Sequence, residues 1–291
     1  MKTNKKEIIT ALAFLLPGLI VLLITVVGPL LYTLYYSFLD YNMLRPKLKT
    51  FVGVSNYINA FNDELVFKSI INTFYFVIFV VPLQTLLGFA FALLVNRIYK
   101  ETIFFKVAFF SPTIMSLAVI SALWMIILNP SDGLLNSMLG KIGIESQEFL
   151  FSTKQAMPSI ICISAWQGCG TQMLILLAGL KNIPPQLYEA SSIDGASKLQ
   201  QFFYITIPNL KNTFYFIFIT ITIQAFKLIV QPMIMTNGGP LNSTKTILFY
   251  IFENGFRFRN VGYASAISVM FIIMVVIISM IQQKLSKKLN D

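Results

Sequence analysis

There is no histidine among the 291 residues of this sequence. Histidine metal sites, the Ser-His-Asp triad and histidine proton relays are therefore excluded together. Cysteine is almost absent as well: Cys162 and Cys169 both fall inside one apolar run. Helical geometry would hold them about 10.5 Å apart along the axis, beyond the ~7 Å Cα reach of a disulfide. They read as small packing residues and say nothing about redox compartment. Charge is scarce too, with only 12% of residues Asp, Glu, Lys or Arg, about half of what a soluble domain of this length carries. No stretch matches the G-x-x-x-x-G-K-[ST] phosphate loop, so any ATP hydrolysis must belong to another chain.

What fills the sequence instead is apolar: 56% of residues are hydrophobic, which sets the membrane class. A spanning helix needs roughly 20 apolar residues. Ile8–Leu39, Ser69–Asn96, Val107–Ser131, Gln155–Leu180 and Asn260–Gln283 contain no charge, and Asn212–Thr236 contains only Lys227. The expectation is an all-α membrane protein: one transmembrane domain over residues 1–291 with six helices, at about 8–39, 69–96, 107–131, 155–180, 212–236 and 260–283. The first run is too long for a signal-peptide core and lacks a small-residue cleavage pattern, so it reads as helix one. Prolines at 17, 29, 82, 112, 158 and 232 read as local kinks that neighbouring helices repair.

Six spans put both termini on one side, together with the connections at 97–106 and 181–211. That side carries twelve Lys and Arg; the opposite loops, at 40–68, 129–154 and 237–260, carry nine over longer stretches, with seven acids among them. The positive-inside rule then places both termini in the cytoplasm. The same distribution explains the net charge of +10. The basic residues sit at loops and termini, without the clustered face that nucleic acid requires, so no nucleic-acid partner is expected.

The most patterned segment is not a span. Residues 184–208 lie between the fourth and fifth runs, on the side assigned to the cytoplasm. Pro184 and Pro185 suit a helix start, and Gly195 suits a left-handed helix end. Ser197 and Gln200 have capping-box spacing. Leu199, Phe202 and Phe203 give the second helix an apolar face, and Pro208 is expected to stop it. Two short helices would meet at Asp194–Gly195, in a setting crowded with small residues and flanked by Glu189. Such a hairpin suits insertion into a partner's cleft; an amphipathic hairpin lying on lipid has the same pattern.

Glu189-Ala190, then Gly195, then Ile207-Pro208 resembles the coupling-loop signature of ABC-importer membrane subunits. Tyr188-Glu189-Ala190-Ser191-Ser192-Ile193-Asp194-Gly195-Ala196-Ser197 resembles the carbohydrate branch, the maltose-permease-like subunits, with Ser191 where a second alanine is usual. Further motifs agree in order: Phe51-Val52-Gly53-Val54-Ser55-Asn56-Tyr57, Trp166-Gln167-Gly168, Leu177-Ala178-Gly179-Leu180, Thr236-Asn237-Gly238-Gly239-Pro240 and Gly262-Tyr263-Ala264-Ser265-Ala266. The Gly-Gly-Pro loop points to the first, F-type, of the two permeases in such systems, here without a large outer insertion. The resemblance implies a type I importer permease fold. It also implies a second permease, an ABC ATPase dimer docked on 184–208, an extracytoplasmic sugar-binding protein, and lipid around the spans. No cofactor of its own is implied, because ATP is used by the partner. Tyr188, Glu189, Ala190, Asp194, Gly195 and Ala196 become the coupling residues, with Glu189 the candidate ion-pair former.

Lys227 marks a second site. A charge at mid-span costs about 2.5–3.5 kcal/mol on insertion scales and should face a cavity or a partner. On a continuous helix Gln224 and Gln231 share its face. Gln167 and Gln172 could oppose them, and Trp166 could stack on a sugar ring. These six residues are the candidate substrate pathway; interhelical hydrogen bonding or pairing with the second permease would use the same groups. An anionic sugar would also suit Lys227. A secondary transporter or channel acting alone is the competing class, but coupling to protons or cations favours acids at membrane depth, and these spans have none. An intramembrane enzyme lacks the required clusters of His, Cys or carboxylate.

Overall fold

The computed structural model describes residues 5–97 and 102–288. Lys2 and Lys100, used above for orientation, lie outside them. The described chain is helical apart from one ribbon of two short strands. The first run forms α1 (Lys5–Leu22) and α2 (Gly28–Ser37), joined by a π turn over Leu23–Val27. Then come β1 (Leu39–Asp40), antiparallel to β2 (Thr50–Phe51), and α3 (Ser55–Phe61). The second run is α4 (Glu64–Arg97), which begins five residues before the expected position because Asp63 caps it, accepting from Leu65 N–H at 2.8 Å.

The third run departs from expectation. It breaks into α5 (Thr102–Ile114) and α6 (Leu117–Ile127), which diverge by 95°. Pro112 lies in the last turn of α5, and Ser116 takes an extended backbone (ψ 131°) that no helix can continue through. Outside the spans follow α7 (Leu134–Lys141) and a 3₁₀ turn at Phe149–Phe151. The fourth run is α8 (Ala156–Lys181), within one residue of its expected limits. The hairpin contributes α9 (Pro185–Ile193), α10 (Lys198–Gln201), a π turn (Phe202–Thr206) and α11 (Ile207–Asn209).

The fifth run is also broken. Its helix, α12 (Lys211–Ala225), has only 15 residues, and a π turn at Pro232–Thr236 follows after an irregular stretch. Pro232 has no N–H to give, and the carbonyl of Leu228 is satisfied from elsewhere, by the Thr246 hydroxyl at 2.6 Å. The loop beyond holds α13 (Ile247–Phe252) and a π turn at Glu253–Arg257, and α14 (Val261–Lys288) is the last run. Among the described residues four helices are long and apolar enough to span, five if the bent α5–α6 pair counts as one. α12, at the fifth of the six expected runs, is shorter than the roughly 20 residues a span needs and is not among them.

Two compact units are present. One takes the residues up to Val66 together with Ile251–Met274; the other takes Phe67–Tyr250 and the residues from Val275 on. In the second unit α8 is the hub, with 61% of its most apolar stretch buried, and it meets its neighbours at glycines. A Cβ on Gly170 would lie 2.7 Å from the Phe109 carbonyl of α5, and one on Gly88 of α4 would lie 2.7 Å from Gln172 Cβ. Only a missing side chain lets those backbones approach so closely, the usual device between membrane helices. In the first unit the most apolar stretch of the Leu12–Ser37 span has no buried residue. Its apolar surface therefore needs lipid or another chain around it.

Candidate functional site

The hairpin takes the shape its residues dictate. Pro184 stands at the N-cap of α9 with an extended backbone, and Pro185 occupies the first turn. α9 ends in a Schellman arrangement: Ala196 N–H donates to the Ser191 carbonyl at 2.9 Å and Gly195 N–H to that of Ser192 at 3.2 Å. Gly195 has φ +79°. Open space surrounds the position a Cβ would take, so backbone conformation rather than crowding selects glycine there. The capping box of α10 is complete: Gln200 N–H donates to Ser197 Oγ, and Ser197 N–H donates to Gln200 Oε1 at 2.7 Å.

Pro208 does not stop the second arm as expected. The π turn at Phe202–Thr206 lets Ile207 N–H reach back to the Phe202 carbonyl. Pro208 then falls in the first turn of α11, where its missing N–H costs nothing.

Two cross-braces that sequence reasoning missed join the arms. Gln201 donates from Nε2 to Ser192 Oγ (2.8 Å), Ser191 Oγ (3.0 Å) and the Tyr188 carbonyl (3.2 Å). Tyr188 Oη and Thr206 Oγ1 lie 2.9 Å apart, with Thr206 buried. The only prior signal was amide and hydroxyl residues spaced about one helix length apart, a pattern too common to single out. Ser191, the departure from the usual alanine, is thus a working member of a brace. The hairpin root is anchored where Phe202 stacks on Phe89 of α4 at 6.0 Å.

The expected apolar face is consequently divided. Phe202 packs inward, whereas Leu199, Phe203 and Tyr204 are exposed, and Ile193 at the tip is 87% exposed. Glu189, Ala190, Asp194 and Gly195 are exposed and Ala196 is half-buried. Among the described residues Glu189 makes no ion pair. The result is a rigid projection with an apolar tip and a carboxylate on its flank.

The candidate pathway residues separate into three settings. Gln167, Gln224, Lys227 and Gln231 line one cavity of about 150 Å³, together with Gln84 and Ser164. Gln231 donates to Ser164 Oγ at 3.3 Å, and Gln167 donates to the Pro112 carbonyl at 3.4 Å. Trp166 is not part of this cavity. It lines a separate, largely apolar one of about 660 Å³, edge to face with Trp124 at 5.6 Å. Gln172 is buried and accepts a 3.0 Å bond from Gln84.

The expected polar stripe on a continuous helix is corrected too. Lys227 lies in the break after α12, and its N–H donates to the Gln224 carbonyl at 3.0 Å. The break, rather than i+4 spacing, brings Gln231 to the same cavity. Lys227 is exposed, with no ion pair among the described residues and no carboxylate in the cavity lining. The site is a small hydrogen-bonding chamber with amides, a hydroxyl and one ammonium group, suited to binding hydroxyl-rich or anionic groups. No group of three or more Cys, Asp and Glu side chains able to hold a metal occurs among the described residues.

Apolar spans, a braced hairpin between the fourth and fifth runs and a polar chamber beside a broken fifth run define the membrane subunit of a type I ABC importer. The profile of the family described as the binding-protein-dependent transport system inner membrane component matches residues 57–291, and this chain belongs to that family.

Relatives match over most of the length. The probable ABC transporter permease protein YurN of Bacillus subtilis is 33% identical over 289 residues, 98% of each chain. The arabinooligosaccharides transport system permease protein AraP of Halalkalibacterium halodurans is 31% identical, covering 84% of this chain and 78% of that one. The sulfoquinovosyl glycerol transport system permease protein SmoG of Agrobacterium fabrum is 31% identical over 89% and 84%. In fold, the chain matches a subunit of the bacterial alginate ABC transporter solved with an alginate pentasaccharide-bound periplasmic protein. The TM-score is 0.84 at 22% identity, over 99% of this chain and 96% of that one.

Proposed function

We propose that this chain is a permease subunit of an ATP-driven, binding-protein-dependent importer for a sugar or oligosaccharide. It forms the pathway with a second permease and is driven by a separate ABC ATPase dimer. An extracytoplasmic binding protein delivers the substrate. The chain has no ATPase site or cofactor of its own. It works as one transmembrane domain in a bacterial-type inner membrane, with both termini and residues 184–208 in the cytoplasm. The sugar class is supported by relatives named for arabinooligosaccharides and for starch degradation products.

The observation that carries the coupling role is the braced hairpin with Ile193 bare at its tip. A segment lying on lipid needs no cross-bracing, whereas a lever pushed by a partner does. Glu189 forms an ion pair with the ATPase, Asp194, Gly195 and Ala196 shape the tip, and Tyr188 with Ala190 sets the arm. The chamber holding Gln167, Gln224, Lys227 and Gln231 is the part of the pathway that meets substrate. Gln172 supports it through Gln84, and Trp166 acts from the neighbouring cavity.

The test is reconstitution of the permease pair with the ATPase and binding protein in liposomes. Saccharide uptake should require ATP and all four components. Uptake by the purified chain alone, driven by a gradient without ATP, would establish a secondary transporter instead.

A further inference from the structure

The first unit contains a cavity that the transport reading leaves unused. It has a volume of about 620 Å³, within the roughly 300–1,000 Å³ range of small-molecule sites. Five asparagines converge on it: Asn56, Asn59, Asn62, Asn254 and Asn260. An asparagine amide both donates and accepts, so such a lining matches a ligand whose groups do the same.

The walls of this cup are fixed. Asn56 is buried and donates to the Ser37 and Leu39 carbonyls at 3.0 and 2.9 Å, which pins the end of the first span. Gly262 N–H donates to the Tyr41 carbonyl at 3.0 Å; a Cβ on Gly262 would collide with the Leu39 carbonyl, so only glycine lets these walls close. Asp63 accepts from Leu65 N–H through Oδ1 and from Tyr263 Oη through Oδ2 at 2.6 Å. Both carboxylate oxygens are thereby engaged, leaving Asp40 as the other carboxylate of the lining. One remaining carboxylate offers a divalent cation little charge, and no group of three or more Cys, Asp and Glu able to hold a metal occurs among the described residues. Asn59 and Asn62 are exposed, and among the described residues their side chains make no hydrogen bond. The mouth thus keeps donors and acceptors available above a preorganised floor.

We propose that this cup is a saccharide subsite on the extracytoplasmic side of the permease, binding a neutral, hydroxyl-rich ring. The location rests on the orientation and the importer role proposed above. A protein segment is the less suitable occupant. Protein interfaces centre on buried apolar anchors, and Val52 is the sole aliphatic residue in this lining.

The experiment uses the assembled transporter in lipid nanodiscs, with and without its binding protein. The probes are short neutral pentose and hexose oligosaccharides, detected by saturation-transfer NMR. The variants are Asn59→Ala/Asn62→Ala, which removes the available amides, and Asn62→Trp, which fills the mouth. Both positions are exposed, so folding is preserved, and the ATPase rate without saccharide serves as the control. The expected result is saccharide signal on the wild type without binding protein, with about a tenfold higher half-saturating concentration in both variants. Undiminished signal in the variants, or none on the wild type, overturns the proposal. So does weakened binding-protein affinity with saccharide binding unchanged, which makes the cup a protein socket. Failure of the importer role would appear separately, as absence of ATP-dependent uptake by the wild type.

Discussion

Gln201 donates a 2.8 Å hydrogen bond to the hydroxyl of Ser192, from the second arm of the hairpin to the first. With its bonds to Ser191 and to the Tyr188 carbonyl, one amide holds three oxygens of the opposing helix. Gln201→Leu should therefore loosen the hairpin by about 0.5–1.5 kcal/mol, the net worth of a partly exposed hydrogen-bond set. The check is hydrogen exchange over residues 185–206, which should rise in that variant. Ser191→Ala removes one acceptor of the three and leaves the other two, so its exchange should stay close to wild type. Equal protection in wild type and Gln201→Leu would show that the brace is idle.

Gly195 ends α9 at φ +79°. A β-branched residue there pays about 1–2 kcal/mol in backbone strain and reshapes the tip. Gly195→Val should abolish ATP-dependent uptake at normal expression, and Gly195→Ala should weaken it less. Full uptake in the valine variant, with the protein correctly inserted, would refute docking through this turn.

Lys227 is expected to act in transport rather than in assembly. Lys227→Met should lower uptake about tenfold, as loss of one charged hydrogen bond to a ligand does. The thermal midpoint of the purified complex should hold, since Lys227 is exposed and makes no ion pair among the described residues. A large drop in midpoint with proportionate loss of uptake would assign Lys227 to helix pairing instead.

Two glycines give opposite expectations on the same substitution. At Gly88 a Cβ meets Gln172 Cβ at 2.7 Å and the Cys169 carbonyl at 3.1 Å, so Gly88→Ala must separate α4 from α8 and cost about 1–3 kcal/mol. At Gly140 in α7 nothing lies within 4 Å. Gly140→Ala should therefore stabilise by about 0.5–1 kcal/mol through lower backbone freedom in the unfolded chain. Thermal unfolding in detergent measures both, and stabilisation by Gly88→Ala would contradict the close packing described here.

The caps and the turn of the hairpin were legible in the sequence because their determinants are local, whereas its braces and the π turn before Pro208 were not. Pro184, Gly195 and the Ser197–Gln200 pair each dictate a backbone state within a few residues. The spans were legible as apolar runs, but their continuity was not. Apolar composition cannot reveal the 95° bend between α5 and α6, which follows from an extended Ser116. Nor could it reveal that α12 stops at Ala225, because the Thr246 hydroxyl that satisfies the freed Leu228 carbonyl is distant in sequence. The chamber shows the same division. Lys227 stood out as a lone charge, whereas Gln84 resembled any amide in an apolar run until α4 met α8.

The wide turns at Leu23–Val27 and Phe202–Thr206 each precede a proline by two residues, Pro29 and Pro208. Each wide turn takes up one residue more than an α-helical turn, and one residue corresponds to about 100° of rotation around the axis. A helical wheel drawn through either turn therefore changes phase in the middle. Residues before and after it that appear to share a stripe face different surroundings. The periodicity of a substitution scan along Leu12–Ser37 should reset at Val27, with the lipid-tolerant positions displaced by about a quarter turn beyond it.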